Sequence, residues 1–528
     1  MAKGYRPVDR DQPFLFPPDM REWLPAGHVV WLVIEAVARL DTSAFHARRK
    51  TGGAGAAGYD PDMMVTLLIW AYANGITSSR RIERLCQQDV AFRVTCAGHV
   101  PDHVTVARFR QQFADTAAAL FAQVLLLCAR LGMGQVGIVA LDGTKIAGNA
   151  SLGANRTEEG LRKLAAELAA AHAEADADED ALFGAGKRGD DDPGDPFTRA
   201  ERVAAALADL EAERAAREAA ERERAEAALA AARAGAPAAG KRPAAAEVEL
   251  AELKVAREIA AYQAKARKRE EAAAAGRARP APPPVPAQQY CRVRRAREAL
   301  ERARAREAAR AERAAQAHGK QEPARRNVTD PGSRLMPVRG GGFVQGYNAQ
   351  NVTSEDGLVI ATTLTSSPAD TRWYQDMIRD AAAAAAMMAE AGGPGDGTIG
   401  LVLADAGYLS EANLASPGPD RLIATGKRRD LEKAACGSGP CDDRPSPAAA
   451  AMAARLATED GIAAYRRRSH IGETFHGDLK HNQGIRRLSV RGTRKASGEW
   501  TFTTAARNLR KAITSGHLTT QALAALAG

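Results

Sequence analysis

Three acidic residues stand in three different kinds of local sequence. Asp142 closes the apolar run GIVALD and is followed by GTKIAGNAS; Asp405 closes LVLAD and is followed by AGYL. Glu473 lies in YRRRSHIGETFHGDLKHNQG, a helix-like stretch crowded with basic residues. Strand ends hold carboxylates stiffly. Two such aspartates and a helix-borne glutamate offer the hard oxygen ligands that a pair of divalent cations needs for phosphodiester chemistry. One ion would activate the attacking oxygen and the other would steady the leaving oxygen. Without metal, three clustered acids repel, so at least one should resist ionisation. Glu459, Asp460 and Asp478 are rivals for the third position, and Asp370 and Asp376 for a supporting acid.

The residues after Glu473 extend this chemistry. In a helix His476, Gly477 and Lys480 follow it by three, four and seven positions and share its face. Gly477 leaves room for a close approach, and Lys480 can reach a phosphate as a point charge. His476 stands open between a substrate or proton-transfer contact and polar packing beside the site. Beyond it the chain is rich in cations: Lys480, His481, Arg486, Arg487, Arg491, Arg494, Lys495, Arg507, Arg510 and Lys511. From Asp478 to Lys511 only Asp478 and Glu499 interleave as acids, which suits a track for a DNA backbone better than a merely solvated face. Trp500 either stacks on a displaced base or anchors the last helix in the core.

These side chains need elements to position them. Residues 1–132 read as helical, with apolar residues at three-and-four spacing in HVVWLVIEAVARL and DMMVTLLIWAYANG, and an Asp60-Pro61 start signal. SSRRIERLCQQD and DHVTVARFRQQF are amphipathic, with arginines expected on their polar faces; they suit either a helix-turn-helix-like module on DNA or an ordinary bundle. From Val136 the pattern turns to strands: GIVALD, then GGGFVQGYNAQNVT and GLVIATTLT joined by the hairpin chemistry of SEDG. A helix over about 370–391, the strand TIGLVLAD, the short piece RLIAT and the glutamate-bearing helices follow. This order predicts an α/β layout with a mixed central sheet.

Between about 155 and 326 the composition shifts to Ala, Glu and Arg, with opposite charges at four-residue spacing. GAPAAGKRP and RARPAPPPVPA read as breakers. The segment is expected to form helices, as a coiled coil or hairpins, although alanine at many seam positions disfavours tight pairing. It also accounts for the 263 positions separating Asp142 from Asp405, far too many for neighbouring strands of a compact sheet without an excursion.

The whole chain of 528 residues has a formal net charge of +9, which suits a polyanionic partner without requiring one. Its six cysteines are scattered, unlike a disulfide framework. Cys436 and Cys441 bracket GSGP but lack a second pair at zinc-ligand spacing. The first residues lack a signal-peptide core, and the apolar stretch near residue 120 falls short of the ~20 residues that span a bilayer. A cytoplasmic, nucleoid-associated protein with no membrane partner is expected.

At these residues the chain resembles bacterial insertion-sequence transposases of the DDE superfamily. QPFLFPPDMREWLPAGHVVWLV and VAFRV…PDHVTVARFR look like the family's N-terminal domain. LDGTKIAGNAS is similar to its first-aspartate block, TDPGSRLMPVRGGGFVQGYNAQ to its strand region, ADAGYLS to its second-aspartate block, and ETFHGDLKHNQGIRRLSVRG to its glutamate block. The resemblance implies a ribonuclease-H-like mixed sheet flanked by helices, interrupted by the helical insertion and preceded by an all-helical domain. It implies Asp142, Asp405 and Glu473 as catalytic ligands of two Mg2+ (or Mn2+) ions. It also implies a Tyr-Arg-Glu-Lys signature, matched by Tyr465, Arg468, Glu473 and Lys480. The Arg-to-Glu gap is one residue longer than the commonest form, which leaves Arg467 as an alternative to Arg468. Thr474 and Asp478 depart from the proline and glutamine that relatives often carry. With Arg486, Arg487 and Arg491, Tyr465, Arg468 and Lys480 make the expected DNA-binding set.

The implied layout is a helical end-binding domain at 1–132, a catalytic domain split into 133–154 and 327–512 around the insertion at 155–326, and a tail at 513–528. The implied function is binding of terminal inverted repeats in double-stranded DNA by a homo-oligomer on paired ends, followed by metal-dependent cleavage and transfer to target DNA. The alternative is a catalytically decayed relative acting only as a DNA-binding protein or repressor.

Overall fold

The computed structural model describes residues 19–47, 58–183, 199–236, 243–275, 285–316, 324–338, 341–426 and 446–526. Cys436 and Cys441 lie outside the described residues, as does most of the two breaker segments. The chain divides into two units, one made of Met1–Asn155 and Asn327–Gly528, the other of Arg156–Arg326.

Among the described residues the first unit begins with the α-helices α1 (Val29–Val37), α2 (Ser43–His46), α3 (Pro61–Ala73), α4 (Ser79–Gln88), α5 (Val90–Thr95), α6 (His103–Arg110) and α7 (Phe113–Arg130). Asp60 caps α3 by accepting from the Met63 amide at 3.0 Å, with Pro61 in the first turn. α4 packs against α6, but α5 intervenes, so the two arginine-rich segments are not joined by a tight turn. Nor do all the arginines face water: Arg110 is 4% exposed. Among the described residues α7 alone is long and apolar enough to cross a membrane; here it is packed inside the unit.

The sheet starts at β1 (Ile138–Ala147), which leads to the short strand β2 (Asn155–Thr157). The second unit holds α8 (Glu158–Phe183), α9 (Arg199–Arg233), α10 (Glu247–Ala274) and α11 (Cys291–Gln316). α8 packs with α9 and α10 with α11, hairpins rather than one continuous coil. Their seams are thin, built from Val203, Ala206 and Leu210 on α9 and Val293, Ala296 and Ala303 on α11. Ion pairs assist: Arg304 meets Glu252 at 2.8 Å and Arg306 meets Glu247 at 2.9 Å between α10 and α11. Alanine-rich seams bury little area per turn, so charge pairing carries more of the specificity.

The chain returns through β3 (Arg325–Asn327), paired with β2, and then forms β4 (Arg334–Pro337), β5 (Phe343–Ser354), β6 (Val359–Thr365), α12 (Tyr374–Glu390), β7 (Leu401–Ala404), α13 (Glu411–Ala415) and β8 (Asp420–Ile423). β5 lies antiparallel to β1, while β4 and β6 both pair antiparallel with the other edge of β5. On the far side of β1, β7 and then β8 run parallel to it. The order β6-β5-β1-β7-β8 makes a mixed sheet with β1 at its centre.

The remainder is helical: α14 (Pro447–Leu456), α15 (Glu459–Arg468), α16 (Thr474–Gly477), α17 (Thr493–Thr514) and α18 (Thr520–Ala525), with wider π-turns at Ser469–Glu473 and Asp478–Asn482 on either side of α16. α17 packs against α7, α3 and β6 and joins the N-terminal helices to the sheet in one core. Trp500 on α17 is fully buried, donates from Nε1 to Thr362 Oγ1 at 2.8 Å and meets Phe475 edge-on. It is a core anchor, not an exposed platform for a base.

Candidate active site

β1 and β7 run side by side with Leu141 in register with Ala404, so Asp142, within β1, and Asp405, just past the end of β7, are the next residues along the chain. Parallel neighbours in register project side chains to the same side, which puts the two aspartates together where the β1–β7 pairing stops. Asp142 itself stands mid-strand, opposite Asn351, because β1 runs on to Ala147 and not to an end at Asp142 as the sequence pattern suggests. Glu473 arrives from the other direction, on the π-turn after α15. The residue before it explains the close approach. A Cβ on Gly472 would lie 3.3 Å from the Asp142 Cβ and 3.4 Å from the Ala140 Cβ, so only a residue without one lets this turn sit on β1 without a shift.

Arg468 ties the two parts. Its guanidinium lies 3.6 Å from Asp142 Oδ1 and donates to Glu473 Oε1 at 3.0 Å, across the ring of Tyr465. Arg467 turns the other way and pairs with Glu355. The π-turn takes up the additional residue between arginine and glutamate, a widening often found at functional sites. Tyr465 donates to the Ala404 carbonyl at 3.3 Å, just ahead of Asp405.

The electrostatics are those of an acid cluster short of positive charge. Burial raises the Asp142 carboxyl to about 7; Arg468 opposes the rise, while Asp405 and Glu473 add to it. Burial also raises Asp405, against the Gly407 amide and Arg468, with Asp370 adding to the rise. Glu473 differs, with its side chain 51% exposed against 13% for Asp142. His476 is buried with its Nε2 3.7 Å from Asp142 Oδ2, and neither ring nitrogen has a hydrogen-bond partner among the described residues. Burial, aided by Lys480, lowers it to about 3, so the imidazole is neutral.

Asp370 stands next to this cluster. Its Oδ1 accepts from Asn348 Nδ2 and Gln350 Nε2, both at 2.6 Å, and lies 3.4 Å from Lys145 Nζ. Gln350 in turn accepts from the buried Tyr408 hydroxyl. The sequence reading did not single out Asn348, Gln350, Tyr408 or Gly472. A signal for two of them was available: amides two apart in GYNAQNVT share one face of a strand whose residues are otherwise core. The other rivals are engaged elsewhere. Asp478 accepts from Asn482 and Gln483, Asp376 pairs with Arg379, and Glu459 and Asp460 occupy the first turn of α15.

The basic residues separate into two groups. Arg486, Arg487 and Arg491 are exposed; Arg486 and Arg491 donate to the carbonyls of Lys480 and Asn149 at 3.0 and 3.1 Å. Lys480 is anchored to β1 through Thr144 Oγ1 and the Lys145 carbonyl, the latter at 2.8 Å, because the π-turns bring it there instead of continuing one helical face. Arg507 does not belong to a surface track. It is buried, donates to the Gly357 carbonyl at 2.6 Å, lies 3.6 Å from Asp478 and covers the Phe475 ring.

No group of three or more His, Cys, Asp or Glu side chains among the described residues stands at metal-ligand spacing. The donor chemistry nonetheless fits a hard divalent cation. Asp142 and Asp405 present carboxylates from neighbouring positions on β1 and just after β7, and a cation between them would offset the burial and the mutual repulsion that raise the Asp142 carboxyl.

With this geometry in place, two family models match. One, described as a transposase domain (DUF772), covers residues 18–112; the other, a transposase DDE domain, covers residues 443–513. No curated protein and no solved structure matches significantly. Both matches are to transposase domains, and together they support an insertion-sequence DDE transposase. The second match contains Tyr465, Arg468, Glu473 and Lys480, whereas Asp142 and Asp405 lie outside both.

Proposed function

We propose that this transposase binds duplex DNA at the terminal repeats of its own element, cuts there, and joins the exposed 3′ hydroxyl to target DNA. The observation that carries this reading is the placement of Asp142 and Asp405 directly after Leu141 and Ala404, the last in-register pair of β1 and β7, with Arg468 spanning Asp142 and Glu473. The strand order, antiparallel on one side of β1 and parallel on the other, supports a ribonuclease-H-like catalytic domain formed by 133–154 and 327–512. Residues 1–132 serve as the end-binding domain and 155–326 as an insertion.

In this reading Asp142, Asp405 and Glu473 hold two divalent cations, magnesium or manganese, which supply Lewis-acid activation at the phosphodiester. The side chains do the positioning. Asp142 is fixed by strand pairing and Asp405 by the turn after β7, where its Oδ1 accepts from the Gly407 amide at 2.9 Å, so their oxygens need little reorganisation when the substrate arrives. Arg468 offsets the negative charge of Asp142 and holds Glu473 within reach of it. Lys480, clamped to β1, fixes the turn after Glu473. The deprotonated carboxylate of Asp142 is the active form, so its proton must leave before the site can work. Arg486, Arg487 and Arg491 line an exposed surface for the DNA backbone, and paired ends imply an oligomer of this chain.

The test uses the full chain and duplex DNA carrying the inverted repeats that flank its coding region. Cleavage in magnesium or manganese is expected from the parent, and a loss of roughly a thousandfold, ~4 kcal/mol of transition-state stabilisation, from each of Asp142→Asn, Asp405→Asn and Glu473→Gln, with end binding retained. A variant that cuts at the parental rate removes that residue from the site. A parent that binds but never nicks supports the DNA-binding-only alternative.

A further inference from the structure

An open cavity of about 360 Å³ lies at the start of α4, away from the carboxylates, where the N-terminal helices meet the stretch that follows the glutamate block. Ser78 and Ser79 line one wall, and Arg110, Arg487 and Ser489 another. Ser78 stands at the N-cap of α4, yet its side chain makes no capping hydrogen bond, and the first turn holds no acid. The opening amides of a helix have no partner inside it and carry the positive end of its dipole. This ten-residue helix therefore points uncapped donors at the cavity.

Two cations point to an anion as occupant. Arg110 is 4% exposed; its Nη1 donates to Ser489 Oγ at 3.1 Å, while Nε and Nη2 have no hydrogen-bond partner among the described residues. A buried guanidinium left with unused donors is costly unless something completes it. The nearby acid is already engaged: Glu499 accepts from the Tyr72 hydroxyl, the Ser489 hydroxyl and the amides of Ser489 and Val490. Arg487 is exposed across the cavity, and Arg80 and Arg81 are exposed on the first turn of α4. Helix amides, a hydroxyl pair and two guanidinium groups form the donor set that receives a phosphate.

We infer that this cavity seats one phosphate of the DNA backbone. The inference rests on the DNA-binding reading above and gives it a contact built jointly by the two segments that the transposase family models match. Openness to the surface and the basic rim favour a phosphate on a polymer over a small anion enclosed by the protein. The contact is to the backbone and so positions the duplex without reading its sequence.

Fluorescence anisotropy of a labelled duplex with the full chain, over a range of salt, tests this. Ser78→Asp is the informative variant, because aspartate is as good an N-cap as serine and places a carboxylate where the phosphate would sit. Its melting temperature is expected to equal or exceed the parent's, while DNA affinity falls about tenfold and the slope of log K against log salt decreases by about 1. Arg487→Ala should change the slope likewise for any duplex sequence, and Arg379→Ala, on α12, should change neither. If the parent binds duplex and both Ser78→Asp and Arg487→Ala match its affinity and slope, the cavity assignment is overturned while the transposase reading stands. If the parent binds no duplex at all, both fall. Thermal protection of the parent by inorganic phosphate, lost in Ser78→Asp with DNA affinity unchanged, identifies a free-anion site and also overturns the assignment.

Discussion

Arg468 bonds Glu473 across five residues, Nη2 to Oε1 at 3.0 Å, while its other terminal nitrogen faces Asp142. A regular α-helix brings residues three and four apart together. The π-turn at Ser469–Glu473 widens that interval by one and so lets arginine and glutamate share a face. Arg467, one position earlier, is turned towards Glu355.

This arrangement predicts a difference between neighbouring arginines. Arg468→Ala leaves two carboxylates without their shared counter-charge and should lower metal-dependent cleavage by about 100-fold, the scale of losing one transition-state donor. It should also move the acid limb of the pH profile to higher pH, because Arg468 opposes the rise in the Asp142 pKa. Arg467→Ala removes only a half-exposed pair, which is worth about 0–1 kcal/mol. Equal loss of cleavage in the two variants would contradict the assignment.

The Asp142 carboxyl gives a stability signature. It titrates at about 7 in the folded chain against about 3.9 in an unfolded one. Between those values the folded state holds the proton and the unfolded state does not, so stability falls as pH rises from about 4 to 7. His476 acts oppositely: held at about 3 when folded and about 6.5 when unfolded, it adds stability as pH rises through that range. Urea denaturation of the parent and Asp142→Asn at pH 5 and pH 8 separates the two. The parent should lose ground to the variant on going to pH 8, and magnesium should recover it at pH 8 more than at pH 5, since the cation competes with the proton. A parent–variant difference that is independent of pH would rule this out.

Gly472 should tolerate almost nothing larger. Gly472→Val drives methyl groups into Ala140 and Asp142, where a single Cβ already stands at 3.3–3.4 Å. A destabilisation of about 1–3 kcal/mol and a loss of cleavage well beyond that of Gly477→Ala are expected, since a Cβ at Gly477 meets nothing within 4 Å. Thermal melts and nicking assays on the pair decide it.

Excising the second unit should leave the first one folded. Asn155 and Asn327, the residues that flank the cut, already touch, with Asn327 Nδ2 3.4 Å from Asn155 Oδ1. A short Gly-Ser turn can therefore join them, and closing so small a loop costs little entropy. Circular dichroism and a cooperative melt of the shortened chain are the readout; a non-cooperative transition would show that the first unit depends on the second.

Much of the strand and helix pattern was legible because it is local. The run LVLAD followed by a glycine-bearing turn marks the end of β7, and Asp60-Pro61 announces α3 through its own amide geometry, whereas GIVALDGTK carries the same local pattern and yet continues as one strand to Ala147, because β5 pairs with it beyond Asp142. The alanine- and charge-rich composition of 155–326 likewise specified helices. Pairing is a different matter. That Asp142 and Asp405 meet depends on β7 docking beside β1 across a separation of 263 positions, a register chosen by the packed core and not by either segment alone. The same holds for the cations. Arg110 and Arg507 carry the same side chain as Arg487, yet the packing of their helices, α6 and α17, buries those two and leaves the third at the surface. Charge and periodicity are written residue by residue, whereas burial is set by which distant surfaces exclude water from one another.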